Sequence, residues 1–197
     1  MIAEISKFSR QLMVFAMSYT AFGGIELDDI KAILPNMNQR TLNRHLDDLK
    51  CAGLIDIAYN RKEKSYIRKS GGHFYCPYLS VQYTANIARN KHRDKLIRHV
   101  KFMEWALDNT EPSQESYTGW YKKEYPGLSE RTMKRDVQEL EKIGINICYE
   151  YLEEFDTDTN AVAGKDNVMN NVIYEHSPNC YFFDLCEFQS IIQFDCW

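Results

Sequence analysis

The sequence predicts a mainly α fold with small β-hairpin wings, an α+β chain built from two tandem copies of one module. The first observation behind this is an internal repeat. Residues 35–54 (PNMNQRTLNRHLDDLKCAGL) and 126–145 (PGLSERTMKRDVQELEKIGI) are one passage written twice, 91 positions apart. Pro35/Pro126, Arg40/Arg131, Thr41/Thr132, Arg44/Arg135, Leu49/Leu140 and Gly53/Gly144 are identical, and apolar character matches at Met37/Leu128, Leu42/Met133, Leu46/Val137 and Leu54/Ile145. A shared offset at so many positions marks a duplicated structural unit. The second observation is helical periodicity within each copy, and the third is the alternating, strand-like sequence that follows each one.

In the first module, Ile2, Ile5, Phe8, Leu12, Phe15 and Tyr19 recur every three or four positions, which predicts a helix over 2–20 ended by Phe22-Gly23-Gly24. A short helix over 27–34, a turn at Pro35 and a helix over 38–52 follow. LIDIAY and SYIRK then flank the polar tip NRKEK, which reads as a β-hairpin. Residues 70–80 read as a connection. A long helical pattern from Val81 to Asn109, with a break near Asn90, opens the second module. It continues with a helix near 114–124, a turn at Pro126, a helix over 129–143, the strand GINICYEYLEE and a return strand NVIYEH at 171–176. The expected organisation is a first domain over 1–80, a linker helix and second domain over 81–180, and an apolar terminal segment over 181–197. Helix, turn, helix and hairpin in this order make a winged helix-turn-helix, so two tandem winged helix-turn-helix domains are expected.

The repeated helices carry the chemistry. At about 100° per residue, Leu46 and Leu49 lie about 40° and −20° from Leu42, while Arg40 and Arg44 lie about 160° to either side. Met133, Val137 and Leu140 repeat the stripe, with Arg131 and Arg135 opposite. One such helix would read as an ordinary solvated face. The same outward set on two helices, each behind a Pro-containing turn, points to double-stranded DNA. Asn38 and Ser129 are helix caps by type and position, and Gly53 and Gly144 are helix stops. The candidate DNA-binding residues are therefore Asn38, Gln39, Arg40, Thr41, Asn43 and Arg44 on the first helix and Ser129, Arg131, Thr132, Lys134, Arg135 and Gln138 on the second. Arg61, Lys62 and Lys64 at the first hairpin tip would reach flanking phosphates. Asp48 and Glu139, four residues after Arg44 and Arg135, are placed to hold those arginines.

Charge is unevenly distributed. Residues 1–85 hold 11 Lys/Arg against 8 Asp/Glu and residues 86–150 hold 12 against 11, whereas residues 151–197 hold 1 against 9. The acidity of the whole chain, net −4, thus belongs to its last quarter. Moderate, salt-sensitive DNA affinity is expected of the rest. The basic run RNKHRDKLIRH (89–99) reads as a solvated helix face. The acidic segment 152–167 would be repelled by phosphate, so it is a loop or a contact for a protein or effector. The aromatic terminus YFFDLCEFQSIIQFDCW calls for burial, and a homodimer contact is expected there.

Six cysteines without a C-x-x-C pair, no leader-like N-terminus and no run of about 18 apolar residues predict reduced thiols, a cytoplasmic location and no membrane partner. His176, Cys180 and Cys186 match no zinc spacing, and D-T-D-T-N lacks the glycine and distal glutamate of a calcium loop, so neither a metal nor a cofactor is expected. No phosphate-binding glycine loop, H-E-x-x-H or G-x-S-x-G occurs, and an enzyme is not expected.

RTLNRHLDDLKCAGLID resembles the recognition helix and first wing strand of the arsenic-repressor and multiple-antibiotic-resistance-repressor types of bacterial regulator. LSERTMKRDVQELEKIGINICYE resembles the N-terminal DNA-binding module of the WYL-domain regulators, through Ser129, Arg131, Thr132, Arg135, Asp136, Leu140, Gly144 and Ile145. The resemblance covers 25–69 and 93–176, and no WYL sensor domain follows it. It implies a sequence-specific transcriptional regulator in which helices 38–52 and 129–143 read the major groove. A replication initiator of plasmid or phage type and a winged-helix protein-interaction adaptor are the alternatives. Binding at repeated origin sites rather than an operator would mark the former, and failure to bind duplex at low salt the latter.

Overall fold

The two copies of the repeated passage fold alike, down to individual hydrogen bonds. The computed structural model describes residues 6–20, 25–68, 78–108, 117–150 and 180–184. Among these, six helices and two small antiparallel sheets give a mainly helical α+β structure. In chain order they are α1 (Lys7–Thr20), β1 (Ile25–Glu26), α2 (Leu27–Ile33), α3 (Gln39–Cys51), β2 (Ile57–Asn60), β3 (Ser65–Arg68), α4 (Ile87–Asp108), α5 (Tyr117–Glu124), α6 (Glu130–Glu141), β4 (Asn146–Glu150) and β5 (Cys180–Asp184).

The turn before α3 is closed by Leu34 N donating to Ile30 O at 2.7 Å and Met37 N to Leu34 O at 2.8 Å. Before α6 the same two bonds recur 91 residues on, from Tyr125 N to Tyr121 O at 2.8 Å and from Leu128 N to Tyr125 O at 2.9 Å. Asn38 then caps α3, its side chain accepting from Thr41 N, and Ser129 caps α6 by accepting from Thr132 N. Each cap satisfies an amide that the first helical turn leaves without an intrahelical partner. Leu42, Leu46 and Leu49 are buried on α3, and Met133, Val137 and Leu140 on α6.

Both helices stop the same way. Gly53 N bonds Lys50 O and Leu54 N bonds Leu49 O, while Gly144 N bonds Glu141 O and Ile145 N bonds Leu140 O. This paired reversal needs a left-handed residue, and Gly53 and Gly144 supply it at φ +73° and +86°. Strand β3 is the middle of a sheet ordered β1-β3-β2, with Tyr66 opposite Ile25 on one side and Tyr59 on the other. The hairpin expected from LIDIAY and SYIRK is therefore present as β2–β3. The short β1 that widens it was not foreseen, two residues being too few for a periodic signal.

Several expectations are corrected. The helix expected from Val81 begins only at Ile87, because Asn86 accepts from Arg89 N at 3.1 Å and starts it there. No break occurs near Asn90; its side chain instead bonds Thr84 N and Thr84 O, fastening the extended segment before the helix. That segment runs along the end of α3, with Leu79 N on Gly53 O and Gln82 N on Cys51 O. The amphipathic stripe expected of α1 gives way to burial of every residue from Gln11 to Ser18. Strand β4 pairs with β5, from Asn146 opposite Asp184 to Glu150 opposite Cys180. Residues 181–184, assigned to the terminal segment, are thus part of a sheet. The return strand at 171–176, the acidic segment 152–167, the stop at 22–24 and the aromatic residues 185–197 lie outside the described residues.

Helix α4 is the axis of the molecule. It packs against α1, α3, α6 and β5, and one hydrophobic cluster runs unbroken from Phe8, Leu12 and Leu46 through Leu96 and Val100 to Trp120, Met133 and Ile145. The basic run 89–99 is a solvated face only in part: Arg89, Lys91 and Asp94 are exposed, and the rest turns toward the core. Arg93 and His99 are buried, and Lys95 Nζ lies 4.0 Å over the Phe8 ring. Among the described residues no helix is long and apolar enough to cross a membrane.

Candidate nucleic-acid interface

The outward arrangement of the repeated arginines follows from the buried stripe beneath them. With Leu42, Leu46 and Leu49 turned into the core, Gln39, Arg40, Asn43 and Arg44 are exposed and Thr41 is half-buried at the flank. With Met133, Val137 and Leu140 inward, Arg131, Lys134, Arg135 and Gln138 are exposed and Thr132 half-buried. Among the described residues no hydrogen bond or ion pair engages the guanidinium groups of Arg40, Arg44, Arg131 or Arg135. Asp48 does not hold Arg44: it accepts from Gln11 Nε2 at 2.9 Å and pairs with Lys7 Nζ at 3.2 Å. Glu139 pairs with Lys142 at 3.4 Å rather than with Arg135. In each case tertiary or C-terminal neighbours reach the acid, and the arginine stays open to solvent.

The two helices differ in how their first turns are dressed. On α3, Gln39 Nε2 donates to Asn43 Oδ1 at 3.0 Å and to the Tyr66 hydroxyl at 2.5 Å, while that hydroxyl donates to Asn43 Oδ1 at 2.6 Å. This closed ring joins α3 to β3, so two of the candidate residues are tied to the hairpin. On α6 the corresponding positions are Glu130 and Lys134, and Ser129 Oγ and Thr132 Oγ1 lie 2.9 Å apart. At the far end of the hairpin Arg61, Lys62, Glu63 and Lys64 are all exposed. Asn60 Oδ1 accepts from Lys62 N at 3.0 Å and Lys64 takes a left-handed φ of 52°, which shapes the tip as a tight polar turn.

Behind the exposed faces lie two buried polar clusters that sequence reasoning missed. The residue after each second arginine is buried, His45 on α3 and Asp136 on α6. Asp136 accepts from Arg98 Nε at 2.6 Å and Nη2 at 3.2 Å, and from the Tyr121 hydroxyl at 3.5 Å. His99 Nε2 lies 3.4 Å from Asp136 Oδ1 without hydrogen-bond geometry, and its Nδ1 faces Lys95 O at 2.9 Å. Burial pushes the His99 pKa down to about 4, against the opposing pull of Asp136. His45 has neither ring nitrogen hydrogen-bonded, and burial, reinforced by Lys7 and Arg10, likewise lowers it to about 4. Both imidazoles are neutral at pH 7. The matched position in the repeat was the available signal; the partners of Asp136 on α4, Arg98 and His99, lie 38 and 37 residues away and were not legible.

The α3 and α6 sets are brought onto one scaffold through α4. No hydrogen bond or ion pair among the described residues links them directly. In comparisons with known proteins, no family model, curated protein or solved structure matches this chain.

Proposed function

We propose that the chain is a sequence-specific, double-stranded DNA-binding transcriptional regulator with two winged helix-turn-helix units, α3 and α6 being the recognition helices. The observation that carries this reading is the duplicated helix: capped, stopped and buried alike in both copies, and presenting exposed arginines at matching positions. Guanidinium groups suit both phosphate neutralisation and bidentate contact with guanine. Arg61, Lys62 and Lys64 on the β2–β3 tip would add flanking phosphate contacts. The apolar terminal segment 181–197, whose first residues lie in β5, is assigned by sequence to a homodimer contact, and a dimer would bring four such helices to an operator.

Titration of fluorescent duplexes across a salt series tests the proposal. Affinity for random duplex should fall steeply, log K dropping by about 0.9 per log salt for each phosphate neutralised. A selected sequence should bind about a thousandfold tighter or more than random duplex. No duplex binding at low salt would favour a protein-interaction adaptor instead. The exposed side chains of Tyr78, Leu79 and Tyr83 before α4, and of Ile87 at its start, speak for that second reading.

A further inference from the structure

We infer that Arg98 and Asp136 are positioning residues: their buried pair fixes how α6 is set relative to α3, and so which backbone phosphates α6 grips relative to the bases α3 reads. This rests on the DNA-binding reading and deepens it.

The need for such a pair follows from the packing. Helix α6 sits on the core through Met133, Val137 and Leu140. Apolar burial holds a helix down but is non-directional, so a stripe of this kind tolerates small rolls and slides. A guanidinium fork on a carboxylate does not, because two parallel bonds set an angle as well as a distance. Asp136 is fully buried on α6, directly after the exposed Arg135. Arg98 Nε and Nη2 reach its two oxygens from α4 at 2.6 and 3.2 Å, and the Tyr121 hydroxyl adds a longer bond from α5 at 3.5 Å. Turning α6 about its own axis would pull an oxygen off the fork and leave buried charge unpaired.

This clamp is continuous with the first unit. The residue after Arg98 is His99, whose ring lies edge-on to Phe8 of α1 at 4.6 Å between centres. One turn earlier, Lys95 Nζ lies 4.0 Å over the same ring. Flanking Phe8 on α1, Lys7 and Gln11 both bond Asp48 of α3. Side-chain joints thus run from α3 through α1 and α4 to α6. The Lys7–Asp48 pair at the near end is open to solvent, with Lys7 57% exposed, whereas the Arg98–Asp136 pair at the far end is buried.

The first unit has no counterpart. The repeat puts His45 where Asp136 stands, and neither nitrogen of that buried ring is hydrogen-bonded. Helix α3 is nevertheless capped and buried as α6 is, so the clamp is not what makes the module fold. Apolar residues of similar volume often stabilise as well as a buried ion pair or better. What the pair adds is direction.

The test uses the full chain in two altered forms, with thermal unfolding to verify each fold. Arg98→Lys keeps the charge and gives up the fork. Arg98→Met combined with Asp136→Leu replaces the pair by apolar side chains. A duplex that the wild type selects from a randomised pool would carry a neutral methylphosphonate at one backbone position at a time; positions that lose their effect in Arg135→Ala belong to α6. In the wild type these should be one or two phosphates at a fixed offset from the selected bases, each costing about tenfold in affinity. In both variants the effect should spread over more positions, each below about threefold. In the free protein, spin labels on a ketone-bearing amino acid at the exposed positions of Asp47 and Gln138 leave the six cysteines untouched. They should give one narrow distance in the wild type and a broadened one in both variants. Unchanged phosphate positions, unchanged label distances, or loss of the fold in both variants would overturn the inference alone. A wild type that selects no duplex would sink the functional reading, and the label distances would then decide the positioning by themselves.

Discussion

Arg44 and Arg135 occupy one position of the repeat, yet their surroundings are unequal. Arg44 shares its exposed face with the neutral pair Gln39 and Asn43, whereas Arg135 shares one with Glu130 and Lys134. The pair on α3 presents an uncharged pattern beside its guanidinium, which suits base reading; the charged pair on α6 suits a phosphate-dominated contact. Arg44→Ala should therefore weaken specific binding by about 1–3 kcal/mol and relax preference at one base pair. Arg135→Ala should weaken specific and random duplex alike and reduce the salt slope by about one phosphate. Competition between specific and random duplexes separates the two outcomes; equal and sequence-specific losses from both variants would refute the division of labour.

Among the secondary elements, the ends of α3 and α6 are the most constrained. Both stop on a left-handed glycine, and a side chain in that region costs about 1–2 kcal/mol. Gly53 carries a second constraint. A Cβ there would lie 2.1 Å from Leu79 O, the carbonyl of the extended segment that runs along the end of α3, where Leu79 N bonds Gly53 O at 2.8 Å. Gly53→Ala should thus destabilise by more than the backbone term alone and should loosen the segment before α4. Chemical denaturation with hydrogen exchange of the Leu79 and Gln82 amides is the appropriate measurement. A cost of about 1 kcal/mol or less, with both amides still protected, would contradict it.

Over the whole molecule, polar groups are concentrated where α4 joins the two repeats. Phe8 lies edge-on to both His92 and His99, at 5.9 and 4.6 Å between ring centres, and His92 Nε2 lies 2.8 Å from Gln11 Oε1. Asp136 is buried among Arg98, His99 and Tyr121, an arrangement costly to desolvate and costly to break. The histidines make this junction acid-sensitive. His45 and His99 titrate at about 4 in the fold against an ordinary 6.5, and burial lowers His92 as well. The unfolded chain therefore binds more protons between pH 6.5 and 4. The stability these neutral rings contribute is complete above pH 6.5 and is lost as pH falls toward 4. Each fully shifted histidine steepens the loss by up to about 1.4 kcal/mol per pH unit. Urea midpoints measured from pH 7.5 to 4.5 should fall in that window, and a flat profile would contradict the buried placement of these rings.

Taken by itself, the sequence determined the elements and their outward chemistry. Short-range rules suffice for a repeat at fixed offset, a stripe at helical spacing, a cap three residues from the amide it satisfies and a glycine at a left-handed stop. These located α3, α6, their turns, the β2–β3 hairpin and the exposed arginines. Only the tertiary structure decided which polar residues are spoken for. Asp48 turned to Lys7 and Gln11, Asp136 to Arg98, and Gln39 and Asn43 to Tyr66, because each partner lies 23 to 41 residues away and the chain must fold to bring it within hydrogen-bond reach. The same holds for the run 89–99, where Arg89, Lys91 and Asp94 stay exposed while Arg93 and His99 become a buried joint once two helical repeats close on the helix between them.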